Sequence, residues 1–385
     1  MFQLHYVDQQ LIDWSIKQRR HFHMYPELSG QEYQTAAYVR EKLGEFGIPI
    51  MEKFSKPSVI AHFKGTDGEK TIALRADMDA LPIIEEGDKP YSSKVSGVMH
   101  ACAHDGHTAT LLAAAKWMSE NAHLVKNNIV LIFQSSEEMS PSGAQQLVKE
   151  GVLDNVDAIY GIHYMSNIPL GQIGFPVGPF MASSDDFDIV IEGKGGHAGN
   201  PHETVDPIFI ASHLIQAFQS IVSRNLNPIH GGVMSITGIQ TGMSYNVIPD
   251  KVILSGTIRA LTQEGAELML RKTAKLTEYI CESFDAKGHL KLIEGTPPLY
   301  NHQEACDVAR GIIEKTFGNE VFSSIEPVFG AEDFAFYVKE KVGAFIHVGM
   351  KSENSSYPHH HPKFDLDEAA IPAGIELMIQ LAVNA

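Results

Sequence analysis

Four side chains able to bind a metal or move a proton fall within a short run: His100, Cys102, His104 and His107, with Asp105 among them. A thiolate beside imidazoles suits zinc or a neighbouring transition metal. The plainer alternative is a buried cysteine among surface histidines. Carboxylates recur elsewhere. Asp77 and Asp79 flank Met78 at the end of an apolar run. Two residues apart, they share one face of a strand, and acids in such a run need partners. Glu137 and Glu138 follow an apolar stretch, although a charged pair is more often a solvated turn. His163 closes another apolar stretch, and His359, His360 and His361 precede Pro362 near the end of the chain. Each of these signals is weak alone. Their common setting, at strand ends and adjoining loops, joins them into one candidate site.

The elements that must position these residues are legible as periodicity. Residues 108–121 read as a helix, with Leu111, Leu112, Ala115 and Met118 at helical spacing. Asp105 or Thr108 is its expected cap. Cys102 and His104 then lie in the loop before a helix N-terminus, where the dipole favours a thiolate. Upstream, residues 8–20 form an amphipathic pattern, and Ser29 with Glu32 spells a capping box for a helix over 31–46. Strands are expected over 59–64 and 71–74, joined by the polar turn 65–70. A strand over 128–134, a helix over 142–150 and a strand over 158–162 follow. This alternation predicts an α/β domain, with the candidate chemistry at the carboxyl ends of its strands, where open α/β sheets bind ligands.

A different order begins near Asp186: strand 187–192, helix 205–223, strands 232–240 and 252–259, helix 263–284 and strand 290–294. This β-α-β-β-α-β sequence is the ferredoxin-like unit. After Pro297-Pro298 the α/β character returns with helix 303–316, strand 344–348 and helix 367–383. The predicted fold is a mixed-sheet α/β catalytic domain, residues 1–184 plus 298–385. It is split by an inserted ferredoxin-like α+β satellite domain, residues 185–297. Within the insert, Gly193 to Ala198 superficially matches a dinucleotide-binding fingerprint. Pro201 interrupts the helix that motif needs, and no acid follows about 20 residues on, so the match is rejected.

The composition sets bounds. With 385 residues, 44% of them hydrophobic, the chain has material for two cores. A formal net charge of −17 disfavours nucleic acid and anionic membranes as partners. Cys102, Cys281 and Cys306 are too few and too scattered for a disulfide framework, which fits a reducing, cytoplasmic setting. The first residues lack the pattern of a signal peptide, and no apolar run approaches the ~20 residues of a membrane span.

Taken together, the motifs resemble the metal-dependent aminoacylase and carboxypeptidase superfamily. The branch is that of hippurate hydrolases, bacterial N-acyl-amino-acid amidohydrolases and plant auxin-conjugate hydrolases. The resemblance covers nearly the whole chain, through residues 19–27, 75–82, 100–107, 137–138, 161–163, 193–198, 246–250, 330–334 and 360–368. Two departures stand out: Ala103 where the family usually has glycine, and His361 where it has a small or amide residue.

The resemblance implies a centre of two divalent ions (zinc, manganese, cobalt or nickel) held by Cys102, His104, Glu138, His163 and His360. Cys102 bridges, His360 being the aligned member of the triple histidine. It implies Glu137 as general base and Asp79 as a residue that orients a ligand. In the insert it implies that His197 polarises the scissile carbonyl in the partner subunit's site of a homodimer, and that Asn246 and Arg259 bind the substrate carboxylate. The implied activity is hydrolysis of N-acyl-L-amino acids, with a dipeptidase or carboxypeptidase of the same superfamily as the near alternative. A thiol hydrolase using Cys102 and a non-catalytic dimeric binding protein are the alternatives of other classes.

Overall fold

The computed structural model describes residues 4–242 and 244–385. The chain divides into two compact units: Met1–Gly178 with Tyr300–Glu326 and Asp333–Ala385, and Pro179–Leu299 with Pro327–Glu332. The segment 327–332, expected in the first domain, thus groups with the second.

The first unit is built on a six-stranded mixed sheet. From one edge to the other its strands are Val59–Phe63, Asn128–Gln134, Thr71–Asp77, Ala158–Pro169, Gly343–Lys351 and Ile173–Gly174. The four inner strands pair in parallel, and the two edge strands are antiparallel. The inner strands are buried almost end to end, as strands covered on both faces must be. Residues 59–63 and 71–77 are not neighbours, because Asn128–Gln134 lies between them. The registers bring Asp77 level with Gln134 and His163 level with His347. Helix His104–Glu120 is apolar nearly all round and buried along most of its length, the composition of a central helix.

The boundaries differ from the sequence reading where they touch the candidate site. The helix expected over 108–121 starts at His104, so His104 and His107 lie in its first turn rather than in a loop. Neither Asp105 nor Thr108 caps it. Its N-cap is Ala103, left-handed at φ 67° with no side-chain cap. Asp105 instead accepts from Arg19 Nε (2.8 Å), and Thr108 Oγ1 donates to the Asp77 carbonyl (2.7 Å). The capping box also does not form. Ser29 Oγ donates to Asp79 Oδ2 (2.6 Å), and the amides of Gln34 and Thr35 are taken by Glu27. His163 does not end its strand, which runs on to Pro169.

The second unit carries the four-stranded antiparallel sheet Lys287–Thr296, Ser184–Glu192, Lys251–Ala260, Gly232–Gln240, in that order. Helices Pro207–Ser220 and Gln263–Ser283 supply the rest of its core. Strand Lys251–Ala260 alternates strictly between buried and more exposed residues, as expected of a sheet with one covered face. The strand order is that of the ferredoxin-like unit. A two-stranded ribbon, Gly196–His197 against Val247–Ile248, extends from it.

Candidate metal centre

The first turn of helix His104–Glu120 is clipped to the end of strand Thr71–Asp77 by three side chains. Residues 104, 107 and 108 fall on one helix face through their i, i+3, i+4 spacing. His104 Nδ1 meets the Asp79 carbonyl (2.9 Å) and Oδ1 (3.2 Å). His107 Nδ1 meets Asp77 Oδ1 (2.6 Å), and Thr108 holds the Asp77 carbonyl. Each contact fixes a tautomer. With Nδ1 donating to oxygen, His104 presents Nε2 as its lone-pair nitrogen, and that atom is buried with no hydrogen-bond partner. His107 has none to offer, because its Nε2 accepts the Tyr164 amide (3.1 Å).

The other candidate donors converge on the same place. His163 Nδ1 donates to the Tyr164 carbonyl (2.9 Å), which turns Nε2 to within 3.6 Å of Cys102 Sγ. Glu138 receives its backbone position from Asp79, whose Oδ2 accepts the Glu138 amide (3.0 Å). Glu138 Oε1, buried without a hydrogen bond, lies 3.1 Å from His360 Nε2.

Of the triple histidine, His359 is engaged by the Tyr164 carbonyl (2.9 Å) and Ser166 (3.0 Å). His361 accepts the Lys363 amide (3.0 Å) and stacks on Tyr357. His360 is the member aimed at the cluster. Its backbone is left-handed at φ 64°, and its amide donates to the Ala101 carbonyl (2.8 Å).

The result is two donor triads that meet at one thiol. Cys102, His104 and His163 bring one ligand atom each within 4.8 Å of one another, and so do Cys102, Glu138 and His360. A third group joins His104 and Glu138 to Glu137. Buried polar atoms without hydrogen bonds are rare and call for an explanation. Here His104 Nε2, with no hydrogen bond, and Glu138 Oε1, with only the nearby His360 ring nitrogen, both face a set of soft and borderline donors. The residues therefore fit a pair of transition-metal ions sharing Cys102 and do not suit magnesium or calcium, which prefer all-oxygen sites.

Electrostatics distinguish the donors. Burial, with Glu138 adding to it, pushes the Cys102 thiol well above its ordinary range, and the nearby His104 only partly opposes this. The helix N-terminus does not secure a thiolate, as the sequence reading expected; a cation beside the sulfur would. Burial would make His104 less basic, but the Asp77 charge and the hydrogen bond to Asp79 raise it well above normal. His163 is held well below its ordinary value by burial and by His107 and His359 around it, so it is a neutral imidazole.

Several supporting residues were not singled out from sequence. Arg75 is buried and donates to Gln134 (2.9 Å), Asp77 (2.6 Å) and Asp333 (2.7 Å). Asp333 also accepts from Gln134 Nε2 (2.6 Å). The signal was present as a cation inside an apolar strand, which must find buried partners, but spacing could not say which.

In the second unit, His197 and Asn246 come together. His197 pairs with Val247 in the ribbon, and the Ala198 amide donates to the Asn246 carbonyl (3.0 Å). Both are exposed. Arg259 is not with them. The ribbon adjoins Asp250, which accepts from Gly193 and Gly195, whereas Arg259 lies near the far end of strand Lys251–Ala260. At ~3.3 Å per residue, eight residues of strand separate them by about 25 Å.

A mixed sheet whose parallel inner strands lead to two linked donor triads beside a further carboxylate defines a class of protein: a metallohydrolase. Sequence comparison gives its family. The profile of peptidase family M20/M25/M40 matches residues 73–384, and the chain belongs to that family. The chain is similar to an N-acetyl-L-cysteine deacetylase of Bacillus subtilis, 41% identical over 92% of this chain and 83% of that one. It is similar also to thermostable carboxypeptidase 1 of Saccharolobus solfataricus, 38% identical over 97% of this chain and 95% of that one. Among solved structures, a dinuclear metal-binding peptidase of the M20 family from Bacillus subtilis superposes with a TM-score of 0.86 at 35% identity, covering 98% of both chains. The protein is a metal-dependent amide-bond hydrolase of this family.

Proposed function

We propose that the protein hydrolyses N-acyl-L-amino acids to a carboxylate and a free amino acid, using two divalent ions held by Cys102, His104, Glu138, His163 and His360. The observation that carries this reading is the pair of donor triads meeting at Cys102 with Glu137 beside them. The similarity to a deacetylase of N-acetyl-L-cysteine supports the substrate class. A carboxypeptidase-type substrate is the near alternative, and the similarity to a carboxypeptidase favours it. Zinc, manganese, cobalt and nickel all suit the donors.

When bound, paired ions polarise a carbonyl and make water acidic near pH ~7. The rest is work for the chain's own side chains. Glu137 takes a proton from the attacking water and returns it to the leaving nitrogen. Asp79 holds His104 through Nδ1 and Glu138 through its amide, so that both present their donor atoms in fixed directions. His197 donates to the scissile carbonyl oxygen, a contact typically worth about 3 kcal/mol at the transition state. Asn246 and Arg259 hold the substrate carboxylate, the guanidinium through its two-pronged geometry.

A small substrate cannot span the roughly 25 Å of strand between Arg259 and the His197–Asn246 ribbon. We therefore assign these groups to a site completed by a second copy of the chain, a homodimer in which His197 acts in trans. Three free thiols suit a reducing, cytoplasmic setting.

The thiol-hydrolase alternative needs a thiolate–imidazolium pair. Cys102 and His163 are close enough, but burial opposes charge on both. The deciding experiment strips the metal with chelator and assays a panel of N-acyl-L-amino acids and dipeptides before and after re-addition of each ion. Activity should vanish and return with metal, and thiol alkylation in the metal-loaded state should matter little. Full turnover in metal-free protein would overturn the proposal.

A further inference from the structure

Glu32 opens helix Tyr33–Glu45 at its N-cap position, yet its side chain makes no cap. That task falls to Glu27, which takes the amides of Gln34 and Thr35. The Glu32 side chain turns away from the helix and is fully buried. Its Oε1 accepts the backbone amide of Ser136 at 2.7 Å, a contact bridging 104 positions of sequence. Its Oε2 has no hydrogen-bond partner among the described residues. A carboxyl group withdrawn from water, with one of its two oxygens making no hydrogen bond, is costly to keep.

The amide it holds is special. Ser136 has a left-handed backbone, φ 55°, which is unfavourable for a residue with a Cβ and persists only where the surroundings impose it. Ser136 is also the hinge between the end of strand Asn128–Gln134 and the pair Glu137-Glu138. On the strand side the chain is tied by Ser58, which accepts the Ser135 amide (3.1 Å). On the far side the Ser136 carbonyl accepts the Gly143 amide (3.0 Å). At position 143 a Cβ would stand 1.8 Å from the Ser135 carbonyl oxygen, so the return of the chain is as tight as glycine allows. Between these ties, the peptide preceding Ser136 is fixed by Glu32.

We propose that Glu32 is a positioning residue for Glu137: its buried carboxylate clamps the Ser136 amide and so imposes the left-handed turn that aims the next side chain. Its chemical role is that of a hydrogen-bond acceptor rather than a charge. This inference rests on the reading of Glu137 as the base.

The test compares Glu32→Ala, which removes the acceptor, with Glu32→Gln, which keeps an amide oxygen in its place. Glu32→Met, of similar length without an acceptor, replaces the alanine variant if that chain fails to fold. Two readouts are taken: kcat and KM of the metal-loaded protein on its best N-acyl-L-amino acid, and hydrogen exchange of the 135–138 amides in metal-free protein. Glu32→Ala should lower kcat about ten- to a hundred-fold with KM and metal content little changed, and should speed exchange at Ser136. Glu32→Gln should stay near the parent in both.

Adding Ser136→Gly to Glu32→Ala should recover part of the lost kcat, because glycine adopts positive φ freely. Parent-like kcat and exchange in Glu32→Ala would overturn the proposal, as would equal losses in Glu32→Ala and Glu32→Gln. Glu137→Gln run alongside separates the two readings. If that variant turns over normally, the base assignment fails while the exchange result still judges the clamp.

Discussion

At the scale of single residues, the neighbouring glutamates divide by what surrounds them. Glu138 has its amide tied to Asp79 and an oxygen facing His360, the setting of a ligand. Glu137 lies within reach of His104 and Glu138 but belongs to neither triad that contains Cys102. Glu137→Gln should therefore lower kcat by about 10²–10⁴-fold while ion content, measured by elemental analysis, stays at the parent level. Glu138→Gln should lose ion. Normal turnover in both would show that neither role is right. The exposed His360 is identified by its backbone as much as by its ring, since the left-handed turn and the Ala101 contact aim it while its neighbours are engaged elsewhere.

At the scale of elements, the described non-glycine residues with positive φ are Ala103, Ser136, Asp285 and His360. Three of them directly adjoin or are candidate site residues. Ala103 separates Cys102 from His104 and starts the central helix, which explains why glycine is the family's usual choice there. Ala103→Gly removes the left-handed penalty of about 1 kcal/mol. The variant should melt no lower than the parent, against the usual loss for Ala→Gly at a helix boundary. A clear drop in the melting midpoint would show that the Ala103 methyl packs better than its backbone suffers.

A second element-level prediction concerns the buried Arg19, which ties helix Gln9–Met24 to Asp105 (2.8 Å) and Asp365 (2.6 Å). Burial would raise the Asp365 carboxyl, but Arg19 and Lys89 hold it below the usual range. A depressed acid stabilises the fold fully above its unfolded value of about 3.9, and that contribution fades as pH falls through the folded value. Asp365→Asn should thus cost roughly 3 kcal/mol at neutral pH and progressively less below about pH 4. Denaturant midpoints of parent and variant at pH 7 and pH 3 check the sign; a gap that does not narrow contradicts it.

At the scale of the molecule, the question is whether one chain suffices. Glu137→Gln and His197→Ala chains should each be nearly inactive. Mixed and allowed to exchange, they should recover activity, because random pairing in a two-fold dimer leaves about one site in four intact. No recovery in a proven heterodimer would mean that His197 acts within its own chain or not at all. Among the described residues, no helix is long and apolar enough to cross a membrane.

The sequence by itself determined the element order, the change from α/β to β-α-β-β-α-β character, and the residue types that gather at the strand ends. These are local properties: apolar periodicity fixes which stretches are strands or helices, and an acid or imidazole in an apolar run announces that it needs a partner. Only the tertiary structure decided the partners. Ser29 and Glu32 spell a helix cap, yet Ser29 goes to Asp79 and Glu32 to Ser136, because a distant buried acceptor or donor outcompetes a local amide that Glu27 already serves. Asp105 serves only the adjacent Gly106 amide at its helix terminus and turns its other oxygen to Arg19, because a buried guanidinium needs several acceptors. The choice among His359, His360 and His361 rests on backbone dihedrals and on the Tyr164 carbonyl nearly two hundred positions away. No spacing rule encodes those contacts, since they exist only once the sheet has brought the strand ends together.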